Sequence, residues 1–185
     1  MNVIERAREK FDKIIHRTTP IKVRGYLVRQ TPIETWEVLV LERLERNEDE
    51  IQVPGGTVDP GEDFKHALVR EMFEETGHLY EGPWQRVTDD LIYRPKRKVT
   101  QLEVAYFMQA DYLGETSWTH AVTGSGPDKD ALFRLSWMPL DQAFCRLRPW
   151  MADHLEIALE NMNRPKVKTV LRNWIGSRSV QSSSL

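Results

Sequence analysis

Cysteine is almost missing from this chain: Cys145 is the only one, so no intramolecular disulfide can form. That fits a reducing compartment. Cys145 lies in an apolar stretch with no evident activating partner, which reads as a small core residue rather than a nucleophile. Long apolar runs are also missing, and none approaches the length of a membrane span. The first residues, Met1–Ile15, interleave Glu5, Arg6, Arg8, Glu9 and Lys10 with apolar positions, so a secretory leader is not expected and a cytoplasmic setting is. Neither sign of charge dominates. A formal net charge of −2 provides no basic field to attract a polyanion, so nucleic acid is not the expected partner. With 40% hydrophobic and 29% charged residues, disordered and fibrous classes are set aside as well.

What is present reads as one α/β domain over residues 1–176, followed by a Ser-rich tail at 177–185. The apolar positions Ile4, Ala7, Phe11, Ile14 and Ile15 recur at helical spacing, which predicts an N-terminal amphipathic helix. Strands are expected at Ile21–Gln30 and Thr35–Leu44, with a turn at Pro32, then a charged loop at Glu45–Glu50 and a short strand at Ile51–Val53. The breaker run Pro54-Gly55-Gly56 ends that strand. A helix is predicted from Asp63, a good N-cap, to Thr76, with Gly77 as its left-handed C-cap. Trp84–Tyr93 and Val99–Ala110 read as a hairpin around Arg94–Lys98. Leu113–Asp130 reads as a loop and Leu132–Met138 as a strand. Helices follow at Asp141–Leu147, at Trp150–Met162 and after Pro165.

The chemistry-bearing segment runs from Gly55 to His78. At 100° per helical residue, Glu71, Glu74 and Glu75 fall within one arc of about 100°. Leu68, Val69, Met72 and Phe73 occupy the adjoining arc as a core stripe, and Ala67 is read as a small residue on the carboxylate side. Like charges at this spacing repel by a few tenths of a kcal/mol per pair unless a cation joins them. Oxygen-rich carboxylate clusters suit Mg²⁺ or Mn²⁺. The glycine-rich loop before the helix lets backbone approach the same site. Taken alone, three glutamates on a helix more often make a solvated face; their spacing relative to other residues decides otherwise.

Gly56, Glu62, Arg70, Glu71, Glu74, Glu75 and Gly77 match the Nudix box, Gly-x5-Glu-x7-Arg-Glu-apolar-x-Glu-Glu-x-Gly-apolar, and Met72 fills its internal apolar position. A chance match at those named positions is on the order of one in a hundred million per starting point. His78 departs from the pattern, standing where an aliphatic residue is usual. The chain thus resembles the Nudix hydrolases. That resemblance implies an α/β/α sandwich with a mixed β-sheet and a divalent metal, Mg²⁺ or Mn²⁺, on Glu71, Glu74 and Glu75. It further implies that the Gly55 carbonyl joins the metal and that Glu62 and Arg70 organise the site. The implied reaction is cleavage of a phosphoanhydride bond in a small nucleoside diphosphate derivative by water attack on phosphorus. A homodimer is left open.

Outside the box the readings are weaker. Glu115, Asp128 and Asp130 are candidates for a further acidic residue that the family often uses. Arg94–Lys98 reads as an ordinary charged hairpin tip before it reads as a phosphate contact. Trp118 and His120 are candidates for stacking on a base, whereas Trp84, Trp137, Trp150 and Trp174 read as packing residues. Two rivals to the hydrolase are an isomerase, which would need an acid–base pair not evident here, and a non-catalytic nucleotide-sensing or partner-binding module.

Overall fold

The computed structural model describes residues 19–45, 51–111, 115–160 and 162. The expected N-terminal helix, residues 46–50 of the charged loop, the helix after Pro165, Trp174 and the Ser-rich tail lie outside them. Within them the elements are β1 (Ile21–Gln30), β2 (Trp36–Arg43), α1 (Phe64–Thr76), β3 (Gln85–Arg94), β4 (Val99–Ala110), β5 (Ser117–Ala121), β6 (Leu132–Pro139), α2 (Leu140–Arg146) and α3 (Pro149–Glu160). The strands form one six-stranded sheet in the order β3-β4-β1-β2-β6-β5. Among these six strands only β1 and β4 run parallel and the other pairs are antiparallel, so the sheet is mixed.

Alternation along the central strands divides the core between two faces. Val23 and Leu27 of β1 and Leu39 and Leu41 of β2 pack with Leu68 and Met72 of α1. Their neighbours Tyr26, Val28, Val38 and Val40 pack on the other face with Phe144 of α2 and Met151, Leu155 and Leu159 of α3. Helices therefore cover both faces, which is the expected α/β/α sandwich.

One feature of the sheet positions the site. β1 and β2 pair directly only near the hairpin, from Val28–Val38 to Gln30–Trp36. Beyond that they splay, and the segment after β2 enters the gap. Leu41 exchanges backbone hydrogen bonds with Gln52 (2.8 and 3.1 Å) on one side, while Val23 and Gly25 of β1 donate to Gly56 and Pro54 (3.0 and 2.9 Å) on the other. The expected short strand at Ile51–Val53 is thus a pair of isolated bridges.

Four expectations are corrected. Leu113–Asp130 is not all loop, because Ser117–Ala121 forms β5 on the sheet edge, paired with β6. Its sequence, Ser-Trp-Thr-His-Ala, carries too little apolar alternation to announce a strand, and pairing with β6 supplies what local preference lacks. Ala67 is fully buried rather than beside a ligand, and Phe73 is 47% exposed rather than in the core stripe. The buried face of α1 runs through Ala67, Leu68, Met72, Glu75 and Thr76, a rotation that turns Glu75 toward the sheet. Cys145 is exposed, because the buried positions of α2 are Leu140, Ala143 and Phe144.

Candidate active site

The site forms where the inserted loop meets α1. Asp63 starts the helix as expected, accepting hydrogen bonds from the amides of Lys65 (2.9 Å) and His66 (3.1 Å). Gly77 ends it in the left-handed conformation, with φ of 74°. Arg70, on the first turns, ties helix to loop. Its Nε and Nη2 donate to the two carboxylate oxygens of Glu62, both at 2.8 Å, and Nη2 also donates to the Thr57 carbonyl. Nη1 donates to Glu71 at 2.9 Å and lies 3.5 Å from Glu74. Glu62 also accepts from the Asp59 amide, so it locks its own loop. These bonds to Arg70 hold the Glu62 carboxyl below the usual carboxylate range.

Glu75 is held differently. Its carboxylate accepts from the Gly55 amide at 2.8 Å, and only 8% of the residue is exposed. Burial, with the neighbouring Glu71 charge, pushes its pKa up to about 8 despite that hydrogen bond. Burial also raises Glu71, and Glu74 adds to the effect. At Glu71 the Arg70 cation outweighs the Glu74 charge, so burial carries the rise. The loop comes close because glycine permits it. Gly55 has φ of 142° and no room for a Cβ against the Val23 carbonyl, and a Cβ on Gly56 would collide with the Glu71 carboxylate.

The site residues named from the sequence, Gly55, Glu62, Arg70, Glu71, Glu74 and Glu75, all lie at one loop–helix junction. Among the described residues no three acidic, His or Cys side chains converge as a ready-made metal cluster. Glu71 and Glu74 turn to Arg70, and Glu75 turns to the Gly55 amide, as carboxylates do when backbone and guanidinium donors are the available partners. The oxygen-only donor set and the burial of the Glu71 and Glu75 carboxylates fit Mg²⁺ or Mn²⁺.

The structure also sorts the outlying candidates. Asp128 pairs with Arg43, and its charge reaches Glu75. Glu115 contributes its carbonyl to buried Arg29 at 2.6 Å, and Asp130 sits in a left-handed turn with φ of 63°. Trp118 and His120, both partly buried, brace the helix end. Trp118 donates to the Thr76 carbonyl at 2.7 Å and stacks on His78 with ring centroids 4.7 Å apart. His120 Nε2 lies 3.2 Å from the Glu74 carbonyl. His78, the departure from the box, is thus a stacking partner where an aliphatic residue would pack.

Several residues beside the carboxylates escape sequence reasoning. Arg24 of β1 donates to the Gly55 carbonyl at 2.9 Å and to Glu103 of β4 at 3.0 Å. Gln101 donates to the same Glu103. Burial works against the Arg24 cation, yet Glu103 holds its pKa above the ordinary arginine value. Lys22 donates to Thr57 at 2.8 Å, and burial lowers its pKa. Gly124 brings the loop after β5 onto Glu74, where a Cβ would strike the carboxylate. The available signal was charge inside otherwise apolar strands, at Arg24 and Glu103.

Comparison with known proteins agrees with this fold. No curated protein sequence matches the chain. Among solved structures it resembles the NUDIX domain of Shewanella oneidensis NrtR complexed with ADP ribose, at 16% identity and a TM-score of 0.61, over 88% of this chain and 100% of that one. It also resembles the MutT NUDIX hydrolase from Burkholderia pseudomallei, at 21% identity and a TM-score of 0.55, over 75% and 97%. A third likeness is to the Caenorhabditis elegans Ap4A hydrolase, at 17% identity and a TM-score of 0.54, over 76% and 96%. These likenesses concern the fold. The NUDIX domain model matches residues 23–160, most of the chain, and the chain belongs to the NUDIX family.

Proposed function

We propose that this chain is a divalent-metal-dependent pyrophosphohydrolase that cleaves a phosphoanhydride bond in a small nucleoside diphosphate derivative, by water attack on phosphorus, in a reducing cytoplasmic setting. The observation that carries the reading is the junction itself: Glu71, Glu74 and Glu75 on one helix, met by loops whose Gly56 and Gly124 leave no room for a Cβ against Glu71 and Glu74. Glu71, Glu74, Glu75 and the Gly55 carbonyl are the groups that would hold Mg²⁺ or Mn²⁺. When bound, such a cation polarises the phosphoryl group and favours attack by water.

The chain's own residues have separable tasks. Arg70, clamped bidentately by Glu62, keeps Glu71 and Glu74 aimed at the loop. Arg24 fixes the Gly55 carbonyl, and the Gly55 amide fixes Glu75, so loop and helix are held in one register. Buried Glu75, with its raised pKa, is suited to hold a proton near neutral pH until a cation displaces it. The substrate's resemblance to ADP-ribose or a dinucleoside polyphosphate is part of the proposal, supported by what the structural neighbours are named for.

A substrate panel with product identification tests it. Nucleoside triphosphates, dinucleoside polyphosphates and nucleotide sugars are incubated with Mg²⁺ or Mn²⁺, and the cleavage position is read from the products. Turnover of at least one member that disappears with EDTA is the expected result. Turnover persisting in metal-free buffer removes the mechanism. Binding of the panel without turnover moves the reading to a nucleotide-sensing module.

A further inference from the structure

The basic turn that the sequence marks after β3 separates into two parts. Lys96, Arg97 and Lys98 are exposed, as an ordinary charged tip should be. Arg94 is not. It is half-buried, and its guanidinium carbon lies 5.5 Å from the ring centroid of Trp150 at the start of α3. The Arg24 guanidinium carbon lies 5.9 Å from the same ring. One indole therefore serves two cations, and an aromatic face holds a guanidinium in place without neutralising it.

The two cations differ in what balances them. Arg24 has the carboxylate of Glu103. Arg94 has no ion pair among the described residues. Asp90, on its own strand, is engaged by His154 at 2.7 Å. Burial and then the Arg148 charge push the Arg94 pKa down against an opposing pull from Glu103, and Arg24 and Arg97 add smaller downward contributions. The first turn of α3 contains no acidic residue, so the positive end of the helix dipole adds to this field. A guanidinium fixed on an aromatic face, with no carboxylate in salt-bridge contact among the described residues, is suited to take a phosphate.

The same cations lead back to the site. Arg24 bonds the Gly55 carbonyl, Gly55 bonds Glu75, and Lys22 feels the charges of Arg24, Glu71 and Glu75. A chain of contacts thus links the carboxylates, through the Gly55 backbone and Arg24, to the Trp150 ring that Arg94 also meets. We propose that Arg94, braced on Trp150, binds a further phosphate of the substrate beyond the two of the pyrophosphate cleaved at the carboxylates, so that the chain favours nucleotides with an extended phosphate chain. The inference rests on the phosphoanhydride-hydrolase reading above.

The test compares wild type, Arg94→Gln, Arg94→Lys and a Lys96→Gln/Arg97→Gln/Lys98→Gln control on a dinucleoside tetraphosphate and on ADP-ribose. In Arg94→Gln the KM for the tetraphosphate should rise about tenfold more than that for ADP-ribose, with kcat for the tetraphosphate changed by less than about threefold. Arg94→Lys should recover part of the loss, and the control should keep the wild-type ratio. Equal KM changes on both substrates overturn the proposal, as does a shift reproduced by the control. A second arm needs no turnover: calorimetry with inorganic tripolyphosphate in EDTA. Wild type should bind about tenfold more tightly than Arg94→Gln, the equivalent of about 1.4 kcal/mol. Equal affinities, or no binding by wild type, overturn the subsite. If wild type hydrolyses no substrate, the functional reading fails by itself and this arm still decides the subsite.

Discussion

Glu74 and Glu75 are neighbours in the chain yet sit in different surroundings. Glu74 faces Arg70 and the Gly124 loop, while Glu75 is buried against the Gly55 amide. Neutral isosteres keep the shape of each and delete its charge. Glu74→Gln and Glu75→Gln should each lower kcat by about 100-fold or more while thermal melting shows a folded protein. Near-normal rates in both variants would remove the metal–carboxylate mechanism. Gly124 yields a sharper residue-scale expectation, because no motif names it. Gly124→Ala places a methyl against the Glu74 carboxylate, and kcat/KM should fall by about tenfold while the melting temperature barely moves. Kinetics beside a melting curve checks both halves; unchanged kinetics would mean the loop yields without disturbing Glu74.

At the scale of elements, the parallel pairing of β1 and β4 sets Arg24 and Glu103 within reach across 79 residues of sequence. The pair is almost completely buried, with side-chain exposures of 6% and 0%. Removing one member leaves an unpaired charge in the interior, which costs about 3–5 kcal/mol. Arg24→Met should therefore destabilise the protein by that order, and Arg24→Met/Glu103→Leu should regain most of it. Chemical denaturation of the single and double variants measures this. A double variant as unstable as the single one would assign the cost to packing instead. The pairing also shows why the site was only partly legible. The box lies on contiguous residues, so helical geometry and turn chemistry place it from local rules. Arg24, Glu103 and Gly124 reach it through strand pairing and a loop crossing, and no local pattern encodes either. β5 was missed for a related reason: its strand character comes from β6.

For the whole molecule, the buried Glu75 makes stability depend on pH when no metal is bound. Its folded pKa of about 8 lies above the ordinary 4.5, so the folded state holds this proton more tightly than the unfolded chain does. That contribution is complete below the unfolded pKa and is lost as pH rises through the folded one. In EDTA the melting temperature should fall between about pH 5 and pH 8, and Glu75→Gln should flatten that fall. A slope unchanged in the variant would show that other groups set it. With a net charge of −2, the molecule offers little attraction to a polyanion. RNA ends, if cleaved at all, should show steep loss with salt only if several phosphates are touched. Measured salt dependence of RNA cleavage that flattens in the Lys96→Gln/Arg97→Gln/Lys98→Gln variant would move the substrate from free nucleotides to nucleic-acid ends.

By itself the sequence determined the family, the loop–helix–loop around Glu71, Glu74 and Glu75, and nearly every strand. Those features follow from residue spacing, capping and alternation, which act over a few residues. Tertiary structure alone decided that α1 turns Glu75 inward and leaves Phe73 outside, because the face a helix buries is chosen by the sheet beneath it. It also decided that the strand hairpin opens to admit the Gly55–Gly56 loop, and that Arg94 leaves its basic neighbours for Trp150. Each depends on a partner distant in the chain, and contact between distant segments is set by how the layers pack.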